Sequence, residues 1–184
     1  VFPDDAALIR RAQQGDQAAF VEIYERSYAS VYTYVYYRLS DPALAEDLTA
    51  DVFVRLVSKI HTFTHAGRPI LAWLYTIASH LVTDHYRRNG RVKHLPLKDH
   101  LRARDGDPAQ IAHLHLTRDR LSAALERLTE DQRQVILFKF IEGRSNAEVA
   151  ALLGKNEGAV KALQHRALAA LRRLLEVEQS YEAA

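Results

Sequence analysis

The chain has no cysteine and no methionine among its 184 residues. Lack of cysteine excludes disulfides, a thiol nucleophile and every cysteine-liganded zinc site. No apolar run approaches the roughly 18 residues that a membrane span needs. The opening Val1-Phe2-Pro3-Asp4-Asp5 lacks the basic-then-apolar order of a signal peptide. A cytoplasmic protein that does not insert into a membrane is the expectation. Excess charge of one sign is missing too: 25 Lys and Arg face 23 Asp and Glu, a formal net charge of +2. Bulk charge alone therefore cannot hold a polyanion; any nucleic-acid recognition has to come from shaped faces.

Aromatic residues are nearly missing from the second half. Thirteen of the sixteen Phe, Tyr and Trp lie at or before Tyr86, and only Phe138, Phe140 and Tyr181 follow. Two cores of different character are implied, hence two domains. Between them, residues 87–104 carry seven Lys and Arg against one acid, Asp99. This stretch also lacks apolar periodicity and reads as a flexible linker. The division is 1–89, a linker at 90–109, and 110–184.

Strand alternation is absent as well, and almost every segment has helical period, so the fold class is all-α. Asp4 or Asp5 can cap a first helix that Gly15 ends. Asp16 opens a second to about Leu39. Asp41 and Pro42 start a third as N-cap and first helical residue. His61 to Arg68 is polar and reads as a loop, after which Pro69 starts a fourth helix to about Arg88. In the second half Pro108 opens a segment with Ile111, Leu114, Leu121, Leu125 and Leu128. Thr129-Glu130-Asp131-Gln132 and Ser145-Asn146-Ala147-Glu148 are capping boxes, followed by Gly143 and Gly154 as stops. Asn156 caps the last helix, to about Val177. Phe138 and Phe140 read as core.

The pair 146–153 and 157–171 has the dimensions of a DNA-binding helix-turn-helix. Ala150 is small where the helices cross, Gly154 permits a positive φ in the turn, and Val160 plugs the angle between them. At 100° per residue Val160, Leu163, Ala167, Leu171 and Leu174 share one side. Gly158, Lys161, Ala162, His165, Ala169 and Arg172 share the other, with Arg166 at its edge. Small residues among hydrogen-bond donors suit entry into a major groove. A merely solvated helix face is the plainer alternative, but a glycine and two alanines are poor choices for it.

These residues carry a resemblance. The run 124–136, Ala-Leu-Glu-Arg-Leu-Thr-Glu-Asp-Gln-Arg-Gln-Val-Ile, resembles region 4 of bacterial sigma factors, as does Glu157-Gly158-Ala159-Val160-Lys161 with His165-Arg166-Ala167. Ala45-Glu46-Asp47-Leu48 through Leu56, then Trp73-Leu74-Tyr75-Thr76-Ile77-Ala78, resembles region 2. With these two regions alone, the chain is similar to the extracytoplasmic-function group of the sigma-70 family. The resemblance implies a dissociable, non-enzymatic subunit that directs core RNA polymerase to promoter DNA. Region 2 would capture the −10 element as melted single strand, and region 4 would read the −35 element as duplex. No cofactor or metal is implied. An anti-sigma factor is an expected further partner.

Glu46, Asp47 and Asp51 form an acidic helix face. Asp47 and Asp51 stand at i, i+4, where like charges oppose each other, and the resemblance makes this face the polymerase-docking site. In the loop, Phe63, His65 and Arg68 offer a ring, a switchable donor and a cation, the chemistry that holds single-stranded bases. Trp73 is expected to anchor the helix behind them. His80 stands where relatives commonly have Asn, and Asp84 one turn on can hold its ring. Arg87 and Arg88 end the helix as phosphate clamps. On the −35 side the candidates are Asn156, Gly158, Lys161, Ala162, His165 and Arg166. Departures from the common pattern are Thr76, Ala50, Lys155-Asn156 and Ala162-Leu163-Gln164, so base preferences do not carry over from relatives.

Two other classes compete. A stand-alone regulator would use the Tyr-rich residues 24–37 as a ligand pocket. A metalloenzyme would need His61, His65, His80, Asp84 and His85 to converge, yet no Glu-x-x-His pairs stand on matched helices. His113 and His115 lie on different helix faces and read as structural.

Overall fold

The computed structural model describes residues 5–65, 67–89, 121 and 123–182, with the side chains of Asn89 and of residues 176–182 outside that description. Four helices form the first half: α1 (Ala6–Gln13), α2 (Gln17–Leu39), α3 (Pro42–Lys59) and α4 (Ile70–Asn89), with a 3₁₀ turn at Ile60–Thr62 after α3. The second half holds α5 (Glu130–Ile136), a π-helical segment Leu137–Ile141, α6 (Asn146–Leu153) and α7 (Glu157–Glu182). No strand occurs among the described residues. The expected segment from Pro108, with Ile111, Leu114, His113 and His115, lies outside the described residues up to Leu121, as do the linker residues 90–109.

Local chemistry sets the helix ends. The Asp16 carboxylate accepts from Ala18 N at the start of α2, and Asp41 accepts from Leu44 N with Pro42 in the first helical turn. Both capping boxes form reciprocally, Thr129 with Gln132 and Ser145 with Glu148. Gly154 stops α6 at φ 64°, in the left-handed region that a Cβ disfavours. Asn156 Oδ1 accepts from Ala159 N at 2.8 Å, opening α7.

The first cap differs from expectation. Asp5 precedes α1 but makes no side-chain cap there. Its buried carboxylate instead accepts from Ile70 N at 2.7 Å. One of the orphan donors at the start of α4 is thus satisfied from the far end of the first half.

Phe140 corrects a second expectation. Phe138 is buried, but Phe140 is 50% exposed. Two positions on is about 200° round a helix of 3.6 residues per turn, so the neighbour of a core phenylalanine at that spacing faces outward. The segment is π-helical, with Glu142 N bonded to Leu137 O at 3.0 Å.

The two cores of the sequence reading are one. A single contiguous cluster of buried residues takes in Ile23, Tyr34, Val52, Leu56, Leu74 and Val82 of the first half with Leu125, Phe138, Val149, Leu152 and Val160 of the second. Phe138 is the wedge, its ring 4.5 Å from Tyr75 and 6.3 Å from Tyr34. Tyr34 and Tyr75 are the first-half rings that meet Phe138 at this seam.

Candidate nucleic-acid interface

The helix-turn-helix is built as its residue types demand. Val160 is fully buried between α6 and α7, with Val149, Ala150, Leu163 and Ala167 buried around it. Leu171 and Leu174 are half-buried. On the opposite side Gly158, Lys161, Ala162, His165, Arg166, Ala169 and Arg172 are exposed. The lack of a side chain at Gly158 has a local use: a Cβ there would stand 3.3 Å from the capping Asn156 Oδ1. Asn156 is itself exposed. The face therefore offers an ammonium, a guanidinium and an imidazole on a rigid helix, with small residues between them.

The loop between α3 and α4 is anchored at both ends. Gln13 Nε2, from α1, donates to Ile60 O at 3.0 Å and to Phe63 O at 2.8 Å. The Phe63 ring stacks on Trp73 with centroids 4.4 Å apart and planes inclined by 24°. Trp73 thus anchors the loop as well as its own helix, and holds Phe63 half-buried. His65 is half-buried beside exposed Thr64, and Gly67 turns the chain at φ 72°. Gln13 carried no signal in the sequence: an amide on one helix gives no hint of carbonyls some fifty residues away. His80, Arg87 and Arg88 are exposed on α4. Asp84, expected beside His80, instead pairs with Arg87 at 3.2 Å.

Glu46, Asp47 and Asp51 are exposed on α3, and Val54 and Val57 continue the same side at 65% and 55% exposure. Alongside runs a ladder of rings on α2, Tyr24, Tyr28, Tyr32 and Tyr36, with successive centroids 5.1, 6.1 and 5.9 Å apart. Phe53 closes it against Tyr24 at 4.8 Å. Burial raises the Tyr28 and Tyr32 phenols, and the Glu46 carboxylate adds to it, so acid and rings form one surface. Tyr24, Tyr28, Tyr32 and Tyr36 make an outer ladder with Tyr34 in the core, and Tyr24 with Phe20, Phe53 and Leu56 lines an apolar surface cleft. Among the described residues no group of three or more His, Asp or Glu could hold a metal ion.

The Sigma-70 region 2 family matches residues 23–92, and the Sigma-70 region 4 family matches residues 118–171. The chain belongs to the extracytoplasmic-function sigma factors. It is 40% identical to the sigma factor BldN of Streptomyces coelicolor over 170 residues, covering 91% of this chain and 64% of that one. It is 32% identical to SigX of Bacillus subtilis, over 88% of this chain and 86% of that one. Among solved structures it resembles CnrH in complex with the cytosolic domain of CnrY, at a TM-score of 0.64 and 26% identity, covering 94% of this chain and 97% of the other. It also resembles RpoE of Bartonella quintana in complex with the anti-sigma factor NepR, at 0.57 and 25%, covering 86% and 97%. As a sigma factor it serves promoter-specific transcription initiation, with core RNA polymerase and promoter DNA as partners. No helix among the described residues is long and apolar enough to cross a membrane.

Besides the bond that Tyr86 Oη donates to Glu126, three polar clusters cross between regions 2 and 4 of this sigma factor among the described residues. In the first, Arg38 is buried on α2 and its Nη1 donates to both Glu130 carboxylate oxygens at 2.8 Å. Tyr34 Oη donates to the same carboxylate at 2.6 Å. Burial alone would raise Glu130; Arg38, Tyr34, Arg133 and Gln134 outweigh it and hold the carboxyl below its usual value. In the second, Tyr75 Oη donates to Glu142 at 2.8 Å, Arg144 Nε donates to Glu142 at 2.7 Å, and Arg144 Nη2 donates to Ser30 Oγ at 2.9 Å. Burial pushes the Tyr75 phenol and the Glu142 carboxyl up. In the third, Arg68 of the loop donates to Leu152 O, and its guanidinium lies 3.4 Å from where a Cβ on Gly154 would stand. Sequence reasoning missed all three, because their members are 67 to 114 positions apart or, for Arg68, 84.

Proposed function

We propose that region 2 docks on core RNA polymerase through Glu46, Asp47 and Asp51 and captures the melted −10 strand with the loop and the outer face of α4. Region 4 reads the −35 duplex with α7. The division is 1–89 for region 2, 90–109 for the connection and 110–184 for region 4. The protein acts in the cytoplasm as a non-enzymatic subunit.

Family membership supports the roles, and exposure supports the residues. Asp51 lies well inside α3, where the helix dipole no longer favours a carboxylate, so its place beside Asp47 is better explained by a basic partner. Phe63, His65 and Arg68 supply a ring, a donor and a cation for a flipped base, and His80, Arg87 and Arg88 supply a base-edge donor and phosphate clamps. On α7, Lys161, His165 and Arg166 contact base edges or phosphates, Gly158 and Ala162 allow close approach, and Asn156 can donate to a phosphate from the helix start. The exposed cationic face of α7 carries this reading. The neighbouring structures are complexes, of CnrH with the cytosolic domain of CnrY and of RpoE with the anti-sigma factor NepR; by likeness, an anti-sigma factor controls this chain too.

The test mixes the purified chain with core RNA polymerase. Co-elution and transcription from a genomic library are expected. Asp47→Ala with Asp51→Ala should weaken core binding while leaving helicity unchanged. Unaltered affinity in the double variant would remove the docking assignment. Lys161→Ala, His165→Ala and Arg166→Ala should each reduce transcription from promoters that need a −35 element.

A further inference from the structure

We propose that Asp5 and Gln13, at the two ends of α1, are positioning residues for −10 recognition: they brace the loop between α3 and α4 so that Phe63 meets the melted strand in one fixed setting. This role rests on the functional reading of the loop given above. The bracing itself rests on geometry.

α1 lies ahead of the matched region 2, which begins at residue 23. Its apolar side is buried through Leu8, Ile9 and Ala12, so the helix is fixed on the core. From that base its two ends reach opposite ends of one loop. The Asp5 carboxylate, buried, accepts from Ile70 N at 2.7 Å, where the loop enters α4. Gln13 Nε2 donates to Ile60 O and Phe63 O at 3.0 and 2.8 Å, where the loop leaves α3. These bonds join residues 47 to 65 positions apart, all within the first half of the chain. Arg68, in contrast, ties the loop to region 4.

Glutamine suits this task. Its amide nitrogen carries two hydrogens, so one side chain can serve two carbonyls at once. Both acceptors follow a helix, where carbonyls lack intrahelical partners, and Ile60 O has a further bond from Phe63 N at 3.1 Å. Phe63 is therefore fixed twice: its carbonyl by Gln13, and its ring by Trp73 at 4.4 Å. The residue that offers a ring to a base is the one most firmly held.

Residues 61–69 could extend to about 30 Å if free. α1 spans roughly 12 Å between Asp5 and Gln13, at about 1.5 Å per residue, so a short rigid rod sets the spacing of the loop's ends. At Gly67 the chain turns at φ 72° with open space where a Cβ would stand, so the shape there is carried from the ends. The loop is ordered before a base arrives, and binding need not supply that ordering. Discrimination between bases needs groups held within about 0.5 Å of their working positions. Loss of the brace should therefore blur base choice at the −10 element and spare docking on the polymerase.

The test uses holoenzyme assembled from core polymerase and the full chain, transcribing a promoter library randomised over the −10 element. Sequencing the products gives a preference ratio for each base. Gln13→Met keeps the length of the side chain and removes the donors. It should lower the best-to-worst ratio at one −10 position about fivefold, as for loss of a net hydrogen bond, with core affinity and −35 dependence unchanged. Gln14→Met, on the exposed neighbour, should leave every ratio as it was. Asp5→Ala should lower the same ratio, and Asp5→Asn, which keeps an acceptor oxygen, should restore most of it. In the isolated chain Gln13→Met should open Trp73, the only tryptophan, to acrylamide quenching; unchanged quenching would overturn the proposal. Intact ratios in Gln13→Met would also overturn it, including a fall in transcription that is uniform over all promoters, the mark of a purely structural role. If Gln13→Met fails to fold, the Asp5 pair decides by the same ratio. Phe63→Ala separates the two levels. If it leaves the ratios intact, the loop is not the reader and the functional reading falls, taking the positioning role with it. If it lowers them while Gln13→Met does not, the positioning role alone falls.

Discussion

Arg38 is 5% exposed, and its charge is matched from the other half of the molecule by Glu130. Glu130 is held below its ordinary 4.5, mainly by Arg38 against the opposing effect of burial. A carboxyl with a lowered folded value stabilises the fold above its unfolded value and loses that contribution as pH falls through the folded one. Glu130→Gln should therefore cost more stability at pH 7 than at pH 3. The carboxylate is 39% exposed, so solvent screening limits the neutral-pH loss to about 1 kcal/mol. Urea midpoints of both proteins at the two pH values check this, and an equal gap at both would contradict it. Gly154 is the second sensitive residue. Its φ of 64° and the Arg68 guanidinium beside it both oppose a side chain. Gly154→Ala should destabilise by more than about 1 kcal/mol, read in the same titration.

At the scale of elements, capping decides where α5 and α6 begin. Ser145 donates and accepts within its box: Glu148 N bonds its hydroxyl at 3.2 Å, and the Glu148 carboxylate bonds Ser145 N at 2.9 Å. The bond from Ser145 N holds Glu148 below the ordinary carboxylate value. Ser145→Ala should cost about 1 kcal/mol, measured by thermal unfolding followed by circular dichroism. The loop before α4 is a second such unit. Its Phe63–Trp73 stack covers one face of the only tryptophan. Phe63→Ala should bare that indole to water and shift its emission to longer wavelength in the isolated chain. An unshifted spectrum would mean that the stack is not kept in solution.

The whole molecule combines near-neutral halves with a closed seam. Residues 1–89 carry 9 basic and 10 acidic side chains, and residues 111–184 carry 11 and 10. Counterion release can then supply little non-specific affinity for DNA. Linked binding by two modules gains affinity only where their geometry lets both engage, and the polymerase is the partner expected to hold that geometry. The isolated chain should therefore bind promoter duplex weakly, while the holoenzyme binds tightly. A gel-shift at physiological salt decides the matter; tight, sequence-specific binding by the chain alone would favour the stand-alone regulator.

Helix starts and stops, the all-α class and the helix-turn-helix were legible from sequence because each depends on residues within a few positions. Thr129 and Gln132 cap one end, Ser145 and Glu148 another, and Val160 follows Gly154 by six. The paired motifs of regions 2 and 4 were legible for the same reason. Local bonds carry little entropy of chain closure, so local residue types dictate them. What the tertiary structure alone decided is the joining of two expected cores into one, the use of Asp5 to cap α4 rather than α1, and the pairing of Arg38 with Glu130 across ninety-two positions. Each of these depends on which helix faces meet in space. A period in one segment sets which residues share a face, but the partner of that face is chosen by packing and by the need to pair every buried charge.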